Sequence, residues 1–221
     1  LHGLQTVSGT VRRQLLANGV PEEKLVALPP YAPSPPEARQ APMSSLRTIL
    51  HVGGLIGQKG VWMVVRMVRD LPRDVQLVFA GGGREREMLE AHVRRRGLSG
   101  RVRIVGEPTP DQCSLLYREA NLVIMPVLWN EPLGLEGLGA MAHGKPVVAF
   151  ETEGIREWLS DGETGLLVPF GERPRFRDAV KSLLEDPERL RAMGARARGV
   201  WREKFRPELH ISALLTHYEK L

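Results

Sequence analysis

Six short runs constrain the architecture more than any other feature of the chain: RTILHVGG, VQLVFAGGG, RVRIVGE, NLVIMPV, PVVAFE and GLLVP. Each is rich in Val, Ile, Leu or Phe but lacks the strict apolar and polar alternation of a strand wetted on one side. They therefore suit parallel strands covered by helices on both faces. Helical segments separate them. Repeated βα of this kind predicts an α/β fold, a Rossmann-like doubly wound parallel sheet of six strands, over residues 46–206. Past Pro169 the pattern is helical alone, at 174–185, 187–205 and 207–221, and each of these segments opens near a proline suited to a first helical turn. They are expected as extra C-terminal helices, and the last of them, 207–221, is set apart from the sheet domain.

Ahead of the sheet, residues 29–45 read PPYAPSPPEARQAPMSS, too dense in proline and too poor in apolar side chains for a packed element, so an extended linker is expected. Residues 1–28 precede it with a short apolar stretch at 4–7 and a helix predicted at 9–18, with Ser8 as N-cap and Gly19 as C-cap. One strand and one helix cannot bury their own apolar faces. The opening LHGLQTVSGT has neither a charged signal-type start nor a Met, so a piece of a longer protein is expected.

Composition narrows the function classes. The formal net charge of +5 raises nucleic acid, anionic lipid or a phosphorylated ligand as partners. The arginine-rich stretches 84–103 and 189–206 are interleaved with acids and poor in aromatics, which favours solvated helix faces over a nucleic-acid groove. Cys113 is the single cysteine; it excludes an intrachain disulfide and a multi-cysteine zinc site and points to a reducing, cytoplasmic setting. No histidine pair has metal-ligand spacing and no Asp-x-Asp occurs, so no metal site is expected. No apolar run approaches the roughly 20 residues of a membrane span.

In an open parallel sheet, ligands sit beyond the carboxyl ends of the strands. The glycine-rich and polar features of this sequence fall there: Gly53 to Lys59 after the first run, Gly81 to Gly83 after the second, Gly106 and Glu107 after the third, and Glu131 to Gly134 after the fourth. Any one of these loops could be only a tight turn, but four on one rim with a lysine and a glutamate suggest a site. GGLIGQKG fails the P-loop pattern because Gly60 follows Lys59, and GGGREREM fails the dinucleotide fingerprint.

Taken together, SGTVRRQLLANGVPEEKLVALPP, HVGGLIGQKG, VFAGGGREREMLE, RVRIVGE, NEPLGLEGLGAMAHGKPVVAF and GIREWLSDGETGLLVP resemble the C-terminal, nucleotide-sugar-binding domain of retaining GT-B glycosyltransferases of family four. The resemblance implies metal-independent transfer of a hexose from a UDP- or GDP-sugar to a glycan or glycolipid acceptor, without a cofactor. It casts Lys59 and Glu131 as catalytic, the lysine on the diphosphate and the carboxylate on the donor sugar. It places Gly54, Gly82, Gly106, Glu107, Pro132, Leu133, Gly134, Leu135, Glu136 and Gly139 around the nucleotide, with the base near Arg103 to Glu107. It makes residues 1–28 a remnant of an N-terminal acceptor domain and 207–221 the helix that crosses back to it. The expected partners are therefore a nucleotide sugar, that acceptor domain or a second chain, and through the acceptor the periphery of a membrane, but not nucleic acid.

Two positions depart from the pattern. Eight residues beyond Glu131, where relatives carry a second glutamate for the ribose diol, stands Gly139; an arginine common in relatives is replaced by Gly54. Glu136 lies three residues before Gly139 and is left three roles: reaching back to the ribose, facing solvent, or repelling the diphosphate. An interior helix glycine costs about 1 kcal/mol against alanine, so Gly139 serves packing, a ligand or neither. Weak or no transfer by these residues alone is expected, and the alternative is a non-catalytic binding module with an eroded donor site.

Overall fold

The computed structural model describes residues 3–28, 30–35 and 47–219. Most of the predicted linker, residues 29 and 36–45, lies outside them, as do residue 46 and residues 220 and 221 at the end of the predicted last helix.

The chain opens with β1 (Leu4–Thr6), α1 (Gly9–Ala17) and β2 (Leu25–Ala27). β1 and β2 pair in parallel, so a strand follows the helix where the sequence suggested only the approach to the linker. Its three residues are too few for a period to show. α1 begins where expected: the Ser8 side chain accepts from the Val11 N–H, and Gly19 follows with a φ of 81°.

Then come β3 (Arg47–Val52), α2 (Val61–Met67), β4 (Val75–Ala80), α3 (Arg86–Arg95), β5 (Val102–Ile104), α4 (Pro110–Glu119) and β6 (Leu122–Met125). α5 (Leu135–Ala142), β7 (Val147–Phe150), the short α6 (Glu153–Arg156) and β8 (Gly165–Val168) complete the alternation. α7 (Arg173–Glu185), α8 (Pro187–Lys204) and α9 (Pro207–Tyr218) follow, each with proline in its first turn as predicted.

The six strands β3 to β8 form one parallel sheet in the order β5-β4-β3-β6-β7-β8. Because both faces of these strands are apolar, two cores form. Ile49, Leu77, Phe79 and Ile124 pack under α2, α3 and α7, while Leu50, Val78, Val123 and Ala149 pack under α4, α5 and the second half of α8. The chain runs outward from β3 to β5 and returns to place β6 on the other side of β3. That reversal opens a crevice at the carboxyl ends of β3 and β6.

α1 does not stand apart from the sheet. The Glu157 carboxylate, just past α6, accepts from the Gly9 N–H at 2.8 Å and from the Thr10 N–H at 2.7 Å. These are orphan donors of a helix start, and an anion suits the positive end of the helix. On α9, by contrast, Ile211, Leu215 and Tyr218 are exposed. Among the described residues no helix is long and apolar enough to cross a membrane.

Candidate functional site

The loops that leave β3 and β6 meet at the crevice, where the Leu128 N–H donates to the Gln58 carbonyl at 2.7 Å. This contact sets Lys59 against Glu131. The Lys59 ammonium donates to Glu131 Oε2 at 2.9 Å and to Glu136 Oε1 at 3.0 Å, so one cation is shared by two carboxylates. Burial disfavours the ammonium, but the charges of Glu136 and Glu131 more than offset it and hold the Lys59 pKa above the ordinary lysine value. Glu131 is only 6% exposed and also accepts from the Trp129 indole N–H at 3.0 Å. The carboxylate is therefore fixed from two directions.

Beside this triad α5 begins. Gly134 takes a φ of 83° to turn the chain into the helix, and no side chain caps it. The first acceptor in that turn is used by the Gly137 N–H, which reaches the Gly134 carbonyl at 2.9 Å, so the Leu135 and Glu136 N–H groups have no intrahelical acceptor. Both residues line a cleft of about 880 Å³ whose one wall is Glu131 to Glu136 with Gly139 and Tyr117, and whose other wall includes Tyr31 and His210.

The structure thus brings Glu131, Pro132, Leu133, Gly134, Leu135, Glu136 and Gly139 to one cleft, with Lys59 behind its carboxylates. It puts Gly82, Gly106 and Glu107 elsewhere on the rim. The Glu107 carboxylate lies over Gly82, with Oε1 2.5 Å from where a Cβ would stand, and the Arg86 guanidinium covers Gly106. Gly54 has open space, since a Cβ there would meet only Ile56 Cγ1 at 3.9 Å. Of the roles the sequence leaves to Glu136, the structure speaks only to the solvent-facing one: the carboxylate is tied to Lys59 and lies against Gly53 instead of standing free in solvent.

Gly139 is explained by a residue the sequence did not single out. A Cβ at position 139 would sit 2.9 Å from the Tyr117 hydroxyl and 3.1 Å from its Cζ. Tyr117 is buried, stacks on His143 and donates to the Glu136 carbonyl at 2.8 Å. Burial first, then the neighbouring Cys113 and Glu136, pushes its phenol pKa well up, so it stays a donor. The aromatic ring takes the space a side chain at 139 would need.

His51, at the end of β3, is 1% exposed and neither ring nitrogen has a hydrogen-bond partner. It meets Phe79 edge to face, and burial lowers its pKa to about 4 despite the nearby Ile124 backbone and Glu136 charge. It is a neutral packing residue at neutral pH. Among the described residues no group of three or more His, Cys, Asp or Glu could hold a metal ion.

Solved structures share this arrangement of sheet and helices. The chain superposes with a TM-score of 0.87 on Anabaena Alr3699/HepE in complex with UDP and glucose, at 20% identity, covering 100% of this chain and 64% of that one. Sucrose-phosphate synthase from Thermosynechococcus elongatus gives 0.85 at 26% identity, covering 98% and 57%. The fold is that of the C-terminal domain of GT-B glycosyltransferases. Its family is also defined: residues 37–200 match the model of glycosyl transferases group 1, and the chain belongs to that family. Among curated relatives, the alpha-D-kanosaminyltransferase of Streptomyces kanamyceticus is 35% identical over 152 residues, which cover 67% of this chain and 39% of that protein. The D-inositol 3-phosphate glycosyltransferase of Corynebacterium jeikeium is 32% identical over 185 residues, covering 79% and 44%. The chain spans less than half the length of these relatives.

Proposed function

We propose that this chain is the donor half of a retaining hexosyltransferase and that the α5 cleft receives a nucleoside diphosphate hexose. The observation that carries this is the meeting of Lys59, Glu131 and two N–H groups without an intrahelical acceptor at the α5 mouth. A diphosphate needs donors and positive potential; the free amides and the helix dipole provide both, with Lys59 within reach. As the glycosidic bond breaks, negative charge grows on the leaving diphosphate, and a cation held beside it stabilises that charge more than it stabilises the ground state. Glu131, locked by Lys59 and Trp129, presents an acceptor of fixed direction for donor-sugar hydroxyls. The base is assigned to the rim at Arg103 to Glu107.

UDP is the first nucleotide to test, because a related fold is known with UDP and glucose bound. The acceptor, a glycan or glycolipid, is assigned to a second α/β unit on the same or another chain, with α9 packing toward it. Transfer by these 221 residues alone is therefore expected to be undetectable. A thermal-shift panel of UDP, GDP, ADP and their sugars tests donor binding: ligand at a hundred times its Kd adds about 2.7 kcal/mol of stability. The stabilisation should be selective for one base and weaker in Lys59→Ala. A different reading, a binding module that has lost its donor, is favoured by one observation, the sequestration of Lys59 by Glu136. It requires no stabilisation by any nucleotide at millimolar concentration.

A further inference from the structure

The opposite end of the sheet carries a second concavity, of about 510 Å³, where the chain enters β6 and β7. Its lining includes Asn121, His143, Lys145, Arg191, Arg198 and Arg202, and no carboxylate. The three arginines lie along one stripe of α8, seven and four residues apart. Among the described residues none of the three guanidiniums has a hydrogen-bond or ion-pair partner. Close packing sets this stripe of α8 beside Lys145. A Cβ at Gly194 would lie 2.2 Å from the Gly144 carbonyl oxygen, so only glycine lets α8 approach the turn between α5 and β7 this closely. The Arg198 stem then lies along Gly144.

The floor is charged as well. The Lys145 ammonium gives one proton to the Arg118 carbonyl at 2.8 Å and keeps two others. Burial lowers its pKa, and burial followed by the charges of Arg118, Lys145 and Arg198 lowers that of His143. Four cationic side chains therefore share one concave surface without a counter-charge. The three arginines are exposed, so their charges are hydrated, and the concave surface presents a positive potential that attracts an anion.

We propose that this cleft is a binding site for a phosphate group carried on a larger molecule, a phosphorylated metabolite or a lipid headgroup. Guanidiniums match phosphate oxygens in pairs, and the cavity is several times too large for phosphate alone. The site lies at the far end of the strands from the α5 mouth, so it acts beside donor binding and not through it.

The test is an amide NMR titration of the whole chain with inorganic phosphate at constant ionic strength, using chloride as the control. Saturable shifts are expected at Gly144, Lys145 and Gly199. They should weaken about tenfold or more in Arg198→Ala/Arg202→Ala and persist in Lys59→Ala. Shifts at Leu135 and Glu136 separately report anion at the donor mouth. Sedimentation with phosphatidylglycerol vesicles separates the two sources. Vesicle binding lost in the double variant, alongside the phosphate shifts, identifies a headgroup; phosphate shifts without vesicle binding identify a soluble ligand. Equal shifts with chloride, shifts confined to the α5 mouth, no effect of the double variant, or vesicle binding without a saturable phosphate titration would each overturn the proposal.

Discussion

Neutralising Glu136 should strengthen donor binding. In the free protein the Lys59 ammonium is divided between two carboxylates, at 2.9 and 3.0 Å, so the triad carries one net negative charge where an anion is to bind. If a phosphate oxygen joins Glu136 on that ammonium, both lie about 3 Å from one nitrogen and at most about 6 Å from each other. Two unit charges at that separation repel by about 3 kcal/mol at an effective dielectric near 20. The Glu136 side chain is 23% exposed, and solvent screening reduces the figure to about 1–2 kcal/mol. Glu136→Gln keeps the shape of the side chain and removes this repulsion, so the Kd for UDP should fall roughly 5- to 30-fold. Isothermal titration of both proteins at low ionic strength measures it, and the difference should shrink as salt is added. Unchanged or weaker UDP binding in Glu136→Gln, with Lys59→Ala still lowering the affinity of the parent protein, would refute the reasoning. Weaker binding would make Glu136 a ligand of the donor, and unchanged binding would place it outside the donor's field.

Two further outcomes follow from buried groups. His51 takes up a proton near pH 6.5 when unfolded but only at about 4 when folded, so the unfolded chain binds more protons between these values. Stability should be complete above pH 6.5 and fall by roughly 3 kcal/mol toward pH 4, and urea unfolding of His51→Phe should show a flatter profile over that window. Gly139→Glu should destabilise by about 1–3 kcal/mol because the carboxylate must displace Tyr117, and Tyr117→Ser should recover part of that loss in a double-mutant cycle. Additive costs would mean that Tyr117 is not what excludes a side chain.

The sheet was legible because its signals are local. A strand such as VQLVFA reveals by its own residues that both faces are buried, and a proline opens each of the last three helices within a residue or two of its start. The loop positions of Lys59 and Glu131 followed from the rule that ligands sit at the carboxyl ends of parallel strands. Contacts between elements were not legible. Nothing in LEGLGAM announces a tyrosine from the preceding helix lying on Gly139, and nothing around Glu136 announces that its charge is answered by Lys59 from another loop. Trp129 left only a weak trace, an aromatic two residues before Glu131 in the irregular loop after β6. Glu107 and Gly82 share the rim as expected but face each other.

The clasp of Glu157 on α1 has a mechanical consequence. The next residue, Trp158, donates its indole N–H to the Leu133 carbonyl at 2.6 Å and lies beneath Gly137, so the segment gripping the leading helix also props up the floor of the α5 mouth. The two ends of this linkage are a single peptide bond apart. A tilt of the β1-α1-β2 unit therefore has a short route, through one side chain and one peptide bond, to the carbonyl of Leu133 at the entrance.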